Sequence, residues 1–244
     1  MDRAPRINGE FMGRVYHAVN GKRRRPTRQA RRAQDVYRLL ADHYGAHPWE
    51  RRAEPLEELI FTVLSQHTSD VNTFRTFADL RAAYPTWQEV MDAPVDNVAE
   101  AIRRGGLSQV KAPRIQAILR SIKRQRGEIS IDFLADLPPD EARAWLLDLP
   151  GVGPKTAACV LLFSLGMPAL PVDTHVHRVA GRLGLITPKT GADRAHHVLE
   201  SLVDEPQMYQ FHVDLIEHGR RVCHARRPRC ADCVLSPVCP SSTV

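Results

Sequence analysis

The stretch LPGVGPKTAACVLL, residues 149–162, places a lysine at the start of an apolar segment, directly after two glycines and a proline. Pro154 suits the first position of a helix, and the apolar periodicity of residues 139–147 predicts another helix before it. Gly151 and Gly153 permit a tight turn between the two. The stretch therefore predicts a helix–hairpin–helix, whose backbone N–H groups at a helix N-terminus suit a phosphate oxygen. A turn that only joins two packed helices is the alternative.

The rest of the chain has the same helical periodicity. In PLEELIFTVLSQ, residues 55–66, apolar side chains recur at three- and four-residue spacing. Short breaks such as DAP, RRGG and DLPP separate the segments, and we find no alternating strand pattern. The sequence therefore predicts an all-α fold. Helices are expected near residues 33–44, 55–66, 71–83, 86–91, 95–104, 111–126, 130–136, 139–147, 154–166, 174–183, 192–202 and 208–221.

Basic residues are concentrated at the N-terminus. The 244-residue chain has a net charge of +6, and residues 1–32 hold ten of its Lys and Arg side chains against two acidic ones. We interpret this segment as a flexible basic arm that contacts phosphates, or alternatively as a solubilising leader. A transit peptide is also rich in arginine, but this segment contains no serine.

The overall composition is typical of a soluble globular protein. Apolar residues make up 43% of the chain. The apolar run at 157–165 is shorter than the ~18 residues of a membrane span. An apolar signal-peptide region is not found at the N-terminus. We therefore expect an intracellular protein without a membrane partner.

Four of the five cysteines lie close together in the sequence. Cys223, Cys230, Cys233 and Cys239 follow the spacing C-x6-C-x2-C-x5-C. Four thiolates in one short segment can surround an iron–sulfur cluster, whereas a zinc site of four cysteines normally uses two C-x2-C pairs. Zinc and free thiols are the alternatives. Cys159 lies in an apolar helix and is expected to belong to the core.

The segment between the first two of these cysteines is basic. Three of its six residues are Arg226, Arg227 and Arg229. These side chains could contact a polyanion, or they could offset the negative charge of an iron–sulfur core. The two interpretations are compatible with each other.

The motifs occur together in an order that is typical of one protein family. The helix–hairpin–helix carries Lys155, the sequence VDTH places Asp173 eighteen positions later, and the cysteine motif follows. Over residues 34–240 the chain resembles the endonuclease III family of DNA glycosylases, within the helix–hairpin–helix glycosylase superfamily. The resemblance implies that Lys155 is the nucleophile and Asp173 its carboxylate partner.

The resemblance also implies a two-domain architecture with an active-site cleft between the domains. A six-helix barrel domain with the helix–hairpin–helix would span 48–167, and an iron–sulfur cluster domain would combine 33–47 with 168–244. The segment 1–32 would be an added basic arm. The four cysteines would hold one 4Fe–4S cluster. DNA contacts are expected from the arginines named above and from the hairpin residues Gly151, Val152, Gly153 and Thr156.

An amine must lose its proton before it can attack a sugar carbon. The ordinary lysine pKa near 10.4 leaves about one neutral amine in 2,500 at pH 7. Lys155 is expected at the second position of its helix, where the positive end of the helix dipole disfavours an ammonium. Burial in an apolar cleft would act in the same direction. Asp173 could cap the helix that begins at Thr174 as well as stabilise positive charge on the sugar.

Two further positions match residues that enter the DNA stack in relatives. His67 in LSQHTSD lies where relatives often carry a glutamine or asparagine that fills the gap left by an extruded base. Leu107 in GGLSQVK matches an apolar wedge. Gly105 lies near a position where relatives usually have a larger apolar side chain, so the substrate range could differ. The alternative for His67 is an ordinary surface or core histidine.

The resemblance implies a bifunctional DNA glycosylase and abasic-site lyase of base excision repair. It would remove oxidised pyrimidines from duplex DNA and cleave the strand 3′ to the abasic site by β-elimination. We expect a monomer in the cytoplasm, at the nucleoid in a bacterium, whose partner is double-stranded DNA with a damaged base or an abasic site.

Three alternative functions share part of this pattern. An adenine glycosylase carries a glutamate at the position of Val63 and lacks the lysine matched by Lys155. A uracil or thymine mismatch glycosylase also typically replaces that lysine. A non-catalytic DNA-binding protein is disfavoured, because the Lys155 and Asp173 pair is present at the family spacing.

Overall fold

The computed structural model describes residues 27–244, which are helical without strands. Most of the predicted arm, residues 1–26, lies outside this range. The first helix already begins at Arg28, so the last residues of the segment predicted as an arm are helical. Within residues 27–244 we find no helix that could span a membrane.

The described residues form eleven α-helices, which confirms the all-α prediction. They are α1 (Arg28–Tyr44), α2 (Pro55–Ser65), α3 (Asp70–Ala83), α4 (Trp87–Asp92), α5 (Val95–Ala101), α6 (Ser108–Arg126), α7 (Pro139–Leu147), α8 (Pro154–Phe163), α9 (Thr174–Arg182), α10 (Ala192–Glu200) and α11 (Met208–Arg221). Short 3-10 helices occupy Arg103–Gly105, Asp132–Asp136, Glu205–Gln207, Cys230–Asp232 and Ser236–Val238.

Local capping explains where several helices begin. The Thr27 side chain accepts a hydrogen bond from the Ala30 N–H at 3.1 Å and caps α1. Thr86 and Glu89 form a capping box at the start of α4, in which each side chain bonds the other residue's backbone N–H. Proline occupies the first position of α2, α7 and α8. These signals are local, so the sequence alone predicts most of the boundaries.

Some predicted boundaries were wrong. In the predicted helix 130–136, only Asp132–Asp136 is helical, as a 3-10 helix, and the Asp132 N–H donates to Ser130 Oγ at 3.1 Å just before it. Helix α8 ends at Phe163 rather than near 166. There the Met167 N–H donates back to the Leu161 carbonyl at 2.9 Å, across a left-handed Gly166 with φ of 62°.

The buried apolar side chains fall into two clusters. The first cluster runs from Leu56 to Ala169 and contains helices α2–α8. The second cluster combines α1 with residues 170–235, which include α9–α11. The domain limits proposed from the sequence stay a prediction, which this division of the buried residues supports.

The hairpin between α7 and α8 has the predicted helix–hairpin–helix form. Gly151 is exposed and adopts the left-handed region, with φ of 73°. Val152 is 6% exposed and belongs to the first cluster, and its N–H donates to the Leu149 carbonyl at 3.1 Å. The buried Val152 therefore anchors a tip whose glycines remain accessible.

Candidate active site and cysteine centre

A cleft of about 750 Å³ brings the two predicted catalytic residues together. Lys155 reaches it from the second position of α8, and Asp173 from the start of α9. Residues of the first cluster and of α11 line the same cleft, including Phe163 and His212. The cleft therefore lies between side chains of both parts of the fold.

Asp173 is the N-cap of α9. Its Oδ1 accepts a hydrogen bond from the Val176 N–H at 2.7 Å, and the residue is partly exposed. The capping role expected from the sequence is therefore present, and it holds the carboxylate of Asp173 at the edge of the cleft.

His212 is a cleft residue that the sequence analysis missed. Its Nδ1 lies 2.9 Å from the Pro171 carbonyl, and its ring meets Phe163 edge-on at a centroid distance of 5.4 Å. Burial lowers the pKa of His212 to about 4, against the attraction of the nearby Asp173 carboxylate. A neutral imidazole whose Nδ1 donates to Pro171 therefore lies beside the reactive pair. A lone histidine in an amphipathic helix gave no signal of this role.

Arg52 lines another wall of the cleft and forms an ion pair with the buried Glu58. Arg52 Nε donates to Glu58 Oε2 at 2.8 Å, and Thr62 Oγ1 donates to Glu58 Oε1 at 2.9 Å. The Arg52 guanidinium carbon lies 3.9 Å from the centroid of the Phe163 ring. Glu58 is only 1% exposed, whereas the Arg52 side chain that it holds is 41% exposed and lines the cleft. The sequence signal was a glutamate within the buried stripe of α2.

His67 and Leu107 are both exposed and share an uncommon backbone conformation. Their φ values are 54° and 52°, in the left-handed region of the backbone that residues other than glycine seldom adopt. The exposed fraction of Leu107 is 54%. Exposure of both side chains suits the predicted entry into a DNA stack and does not fit the alternative of a core histidine at position 67.

The hairpin residues predicted to contact DNA differ in accessibility. Thr156 is 3% exposed, and its Oγ1 accepts a hydrogen bond from Gln66 Nε2 at 3.5 Å. The Val152 side chain is also buried, so Gly151 and Gly153 are the more accessible residues of this hairpin, and the DNA contacts of all four residues stay a prediction.

The four clustered cysteines line one cavity. Cys223, Cys230, Cys233 and Cys239 surround it together with apolar side chains. Arg182 Nη1 donates to Cys223 Sγ at 3.1 Å and to the His224 carbonyl at 2.7 Å. Among residues 27–244, no group of three or more His, Cys, Asp or Glu side chains has the arrangement needed to hold a single metal ion. Four soft sulfur donors around one cavity suit a larger iron–sulfur group.

The predicted arginines flank this centre and are exposed. Arg227 adopts a left-handed backbone with φ of 52°, and Arg226 precedes it. Arg229 Nη2 pairs with Asp232 Oδ2 at 2.8 Å. The loop therefore presents arginine side chains to solvent next to the cysteines.

Comparison with known proteins identifies the family. Residues 60–205 match the family described as HhH-GPD superfamily base excision DNA repair protein. This chain belongs to that superfamily. It is 36% identical over 189 residues to Endonuclease III of Thermotoga maritima, which covers 78% of this chain and 84% of that protein. A solved structure of a trapped Endonuclease III–DNA covalent intermediate has a TM-score of 0.75 and 29% identity, covering 87% of this chain and 96% of its own.

Another relative in this superfamily is longer than the matched region. The chain is 34% identical over 165 residues to the putative DNA glycosylase At3g47830 of Arabidopsis thaliana. The match covers 68% of this chain and 56% of the length of that plant protein. The superfamily and the resemblance to endonuclease III proposed from the sequence are confirmed by these matches.

Proposed function

We propose that this protein, a DNA glycosylase and abasic-site lyase of the endonuclease III family, removes oxidised pyrimidines from duplex DNA. The observation that carries the proposal is the shared cleft of Lys155 and Asp173, with the amine at a helix N-terminus. The cleft volume of about 750 Å³ leaves room for an extruded nucleotide.

The proposed chemistry begins at C1′ of the damaged nucleotide. The neutral Lys155 amine forms a bond to C1′ as the glycosidic bond breaks, and the departing base keeps the electron pair and takes up a proton. Asp173 offsets the positive charge that develops on the sugar. The bound amine then gives up one proton, its lone pair opens the sugar ring, and the ring oxygen takes up a proton, which leaves a protonated Schiff base at C1′. Loss of a C2′ proton then breaks the C3′–O bond, which cleaves the strand 3′ to the site.

Cys223, Cys230, Cys233 and Cys239 would hold one 4Fe–4S cluster. When bound, this group would brace the C-terminal loop, and the proposed reaction requires no redox step. Arg226, Arg227 and Arg229 would then contact DNA phosphates from a fixed loop. The backbone of the hairpin at Gly151 and Gly153 would bind a further phosphate.

The proposed partner is duplex DNA that contains a damaged base or an abasic site. We expect the protein to act as a monomer in the cytoplasm, in contact with the nucleoid if the source is bacterial. The retained lysine favours a bifunctional enzyme over a monofunctional mismatch or adenine glycosylase and over a non-catalytic binding protein.

The deciding experiment is to trap the Schiff base with borohydride. Purified protein is mixed with a duplex that carries one thymine glycol, and we expect a covalent adduct that Lys155→Ala abolishes. Lys189→Ala is the matched control, because Lys189 is an exposed lysine that does not line the cleft. An adduct on an abasic duplex but not on thymine glycol would leave a lyase with another base preference. Absence of both adducts would refute the lysine mechanism.

A further inference from the structure

Lys111 on α6 is a buried cation. It is 2% exposed, and its Nζ donates to three oxygens: the Leu64 carbonyl at 2.7 Å, Thr68 Oγ1 at 2.7 Å and the Gly105 carbonyl at 2.9 Å. An ammonium has three donors, so these bonds use its full capacity. Nothing in the proposed chemistry uses this residue.

A cation at this position is costly for the fold. All three acceptors are neutral oxygens, and burial lowers the pKa of the Lys111 ammonium. An apolar side chain of similar length would fill the same space without that cost. The lysine therefore contributes something that apolar packing cannot, namely directed bonds from one atom to two separate stretches of chain, residues 64–68 and Gly105.

The bonded segments are the two loops that carry His67 and Leu107. The first loop comprises residues 66–69, after the end of α2 at Ser65, and the second loop comprises residues 103–107. Thr68 is the neighbour of His67, and Gly105 lies two residues before Leu107. Lys111 thus bonds each loop within two residues of its exposed tip.

The tips of both loops are held in a strained backbone conformation. His67 and Leu107 have φ values of 54° and 52°, which persist in residues other than glycine only when the surroundings fix them. Thr68 Oγ1 also donates directly to the Gly105 carbonyl. The two loops are therefore joined to each other and to the buried Lys111 as one unit.

We infer that Lys111 is a positioning residue that fixes the distance between His67 and Leu107, so that both side chains enter the DNA stack together when a base is extruded. The inference rests on the proposed function. It assigns to Lys111 no contact with DNA. Loss of its three bonds would leave the cleft chemistry intact and allow the two tips to move independently.

The test compares duplex DNA with single-stranded DNA, because a single strand has no stacked partner to open. Lys111→Met should slow single-turnover excision of thymine glycol from a duplex about 10- to 100-fold, through misplaced loops. Borohydride trapping on a single-stranded abasic oligonucleotide should change less than about twofold. The fluorescence rise of 2-aminopurine beside the lesion, which reports unstacking, should be lost in the same variant.

Two further variants make the result specific. Thr68→Val removes one of the three acceptors and should give the same pattern with a smaller loss, which keeps the test decisive if Lys111→Met does not fold. Lys123→Met is the matched control, since Lys123 is an exposed lysine on the same helix. Lys123→Met should behave as wild type in all three assays.

The outcomes separate this inference from the proposed function. Wild-type excision and fluorescence in both Lys111→Met and Thr68→Val would overturn the inference. So would equal losses on duplex and single-stranded DNA, which indicate general damage to the fold. If the wild-type protein excises no base, the proposed function is wrong, and the 2-aminopurine comparison still decides the inference, because unstacking requires no bond cleavage.

Discussion

At the scale of single residues, Asp173 combines a structural and a chemical role. Its carboxylate caps α9 through the Val176 N–H at 2.7 Å and also lines the cleft beside Lys155. Asparagine caps a helix about as well as aspartate but carries no charge. The substitution Asp173→Asn therefore separates the two roles, because it keeps the helix cap and removes the negative charge.

Asp173→Asn should abolish most excision and leave the fold intact. We expect the single-turnover rate to fall about 100-fold or more, because developing positive charge on the sugar loses its carboxylate. The melting temperature should move by less than about 2 °C, since the cap remains. Asp193→Asn, in the first turn of α10, is the matched control for the loss of one helix-terminal charge. A fully active Asp173→Asn enzyme would contradict the catalytic role.

Single residues differ in how far the sequence predicts their position in the site. Lys155 and Asp173 stand in short motifs whose local structure, a helix start in each case, follows from neighbouring residues. His212 is different, because its partner is the Pro171 carbonyl, 41 positions away in the chain. Arg52 likewise depends on the Phe163 ring beneath it. Contacts between distant segments set these environments, and no local pattern encodes them.

At the scale of elements, the packing of α3 explains why position 105 is a glycine. A Cβ at Gly105 would lie 2.9 Å from Thr76 Cγ2, so the threonine occupies the space that a side chain would need. Thr76 is fully buried, and its Oγ1 has no hydrogen-bond partner within the described residues. Gly105 and Thr76 are therefore a complementary pair at the contact between α3 and the second loop.

Gly105→Ala should be destabilising in the wild-type background and tolerated when Thr76 is shortened. We expect Gly105→Ala to cost about 1–3 kcal/mol through overpacking. In a Thr76→Ala background the same change should cost about 1 kcal/mol less, a coupling that a double-mutant cycle in urea measures. Gly181→Ala is the control, since a Cβ at position 181 would meet no atom within 4 Å beyond its own stretch of helix. Additive free energies for the pair would show that the contact is unimportant.

The helices could be predicted from the sequence, but the contacts between them could not. Proline and capping side chains mark the start of α2, α4 and α8 in the sequence. The end of α8 was misplaced because a left-handed Gly166 terminates it within an apolar run. The helical periodicity predicts that one face of a helix is buried, but not which residues it contacts. Contacts such as those of Lys111 with the two loops arise only from three-dimensional packing.

At the scale of the whole molecule, the cleft joins the two apolar clusters. Phe163 belongs to the first cluster, whereas His212 comes from α11, whose apolar residues build the second. The edge-on contact between their rings, at 5.4 Å, therefore spans the two. A change in the charge of His212 would affect the contact between the two clusters as well as the cleft. Asp173, Lys155 and Arg52 all influence the pKa of His212.

The stability of the protein should consequently fall as the pH drops from about 6.5 towards 4. Burial lowers the pKa of His212 from 6.5 to about 4, so the unfolded chain binds this proton first and protonation favours unfolding in that window. One such group adds a slope of up to about 1.4 kcal/mol per pH unit. In His212→Asn, the new amide can still donate to the Pro171 carbonyl. Urea unfolding of this variant at several pH values should show a smaller slope of the free energy of unfolding against pH. His197→Asn, an exposed histidine on α10, should keep the wild-type slope. If the free energy of unfolding has the same slope against pH in wild type and in His212→Asn, protonation of His212 does not control the stability of the protein.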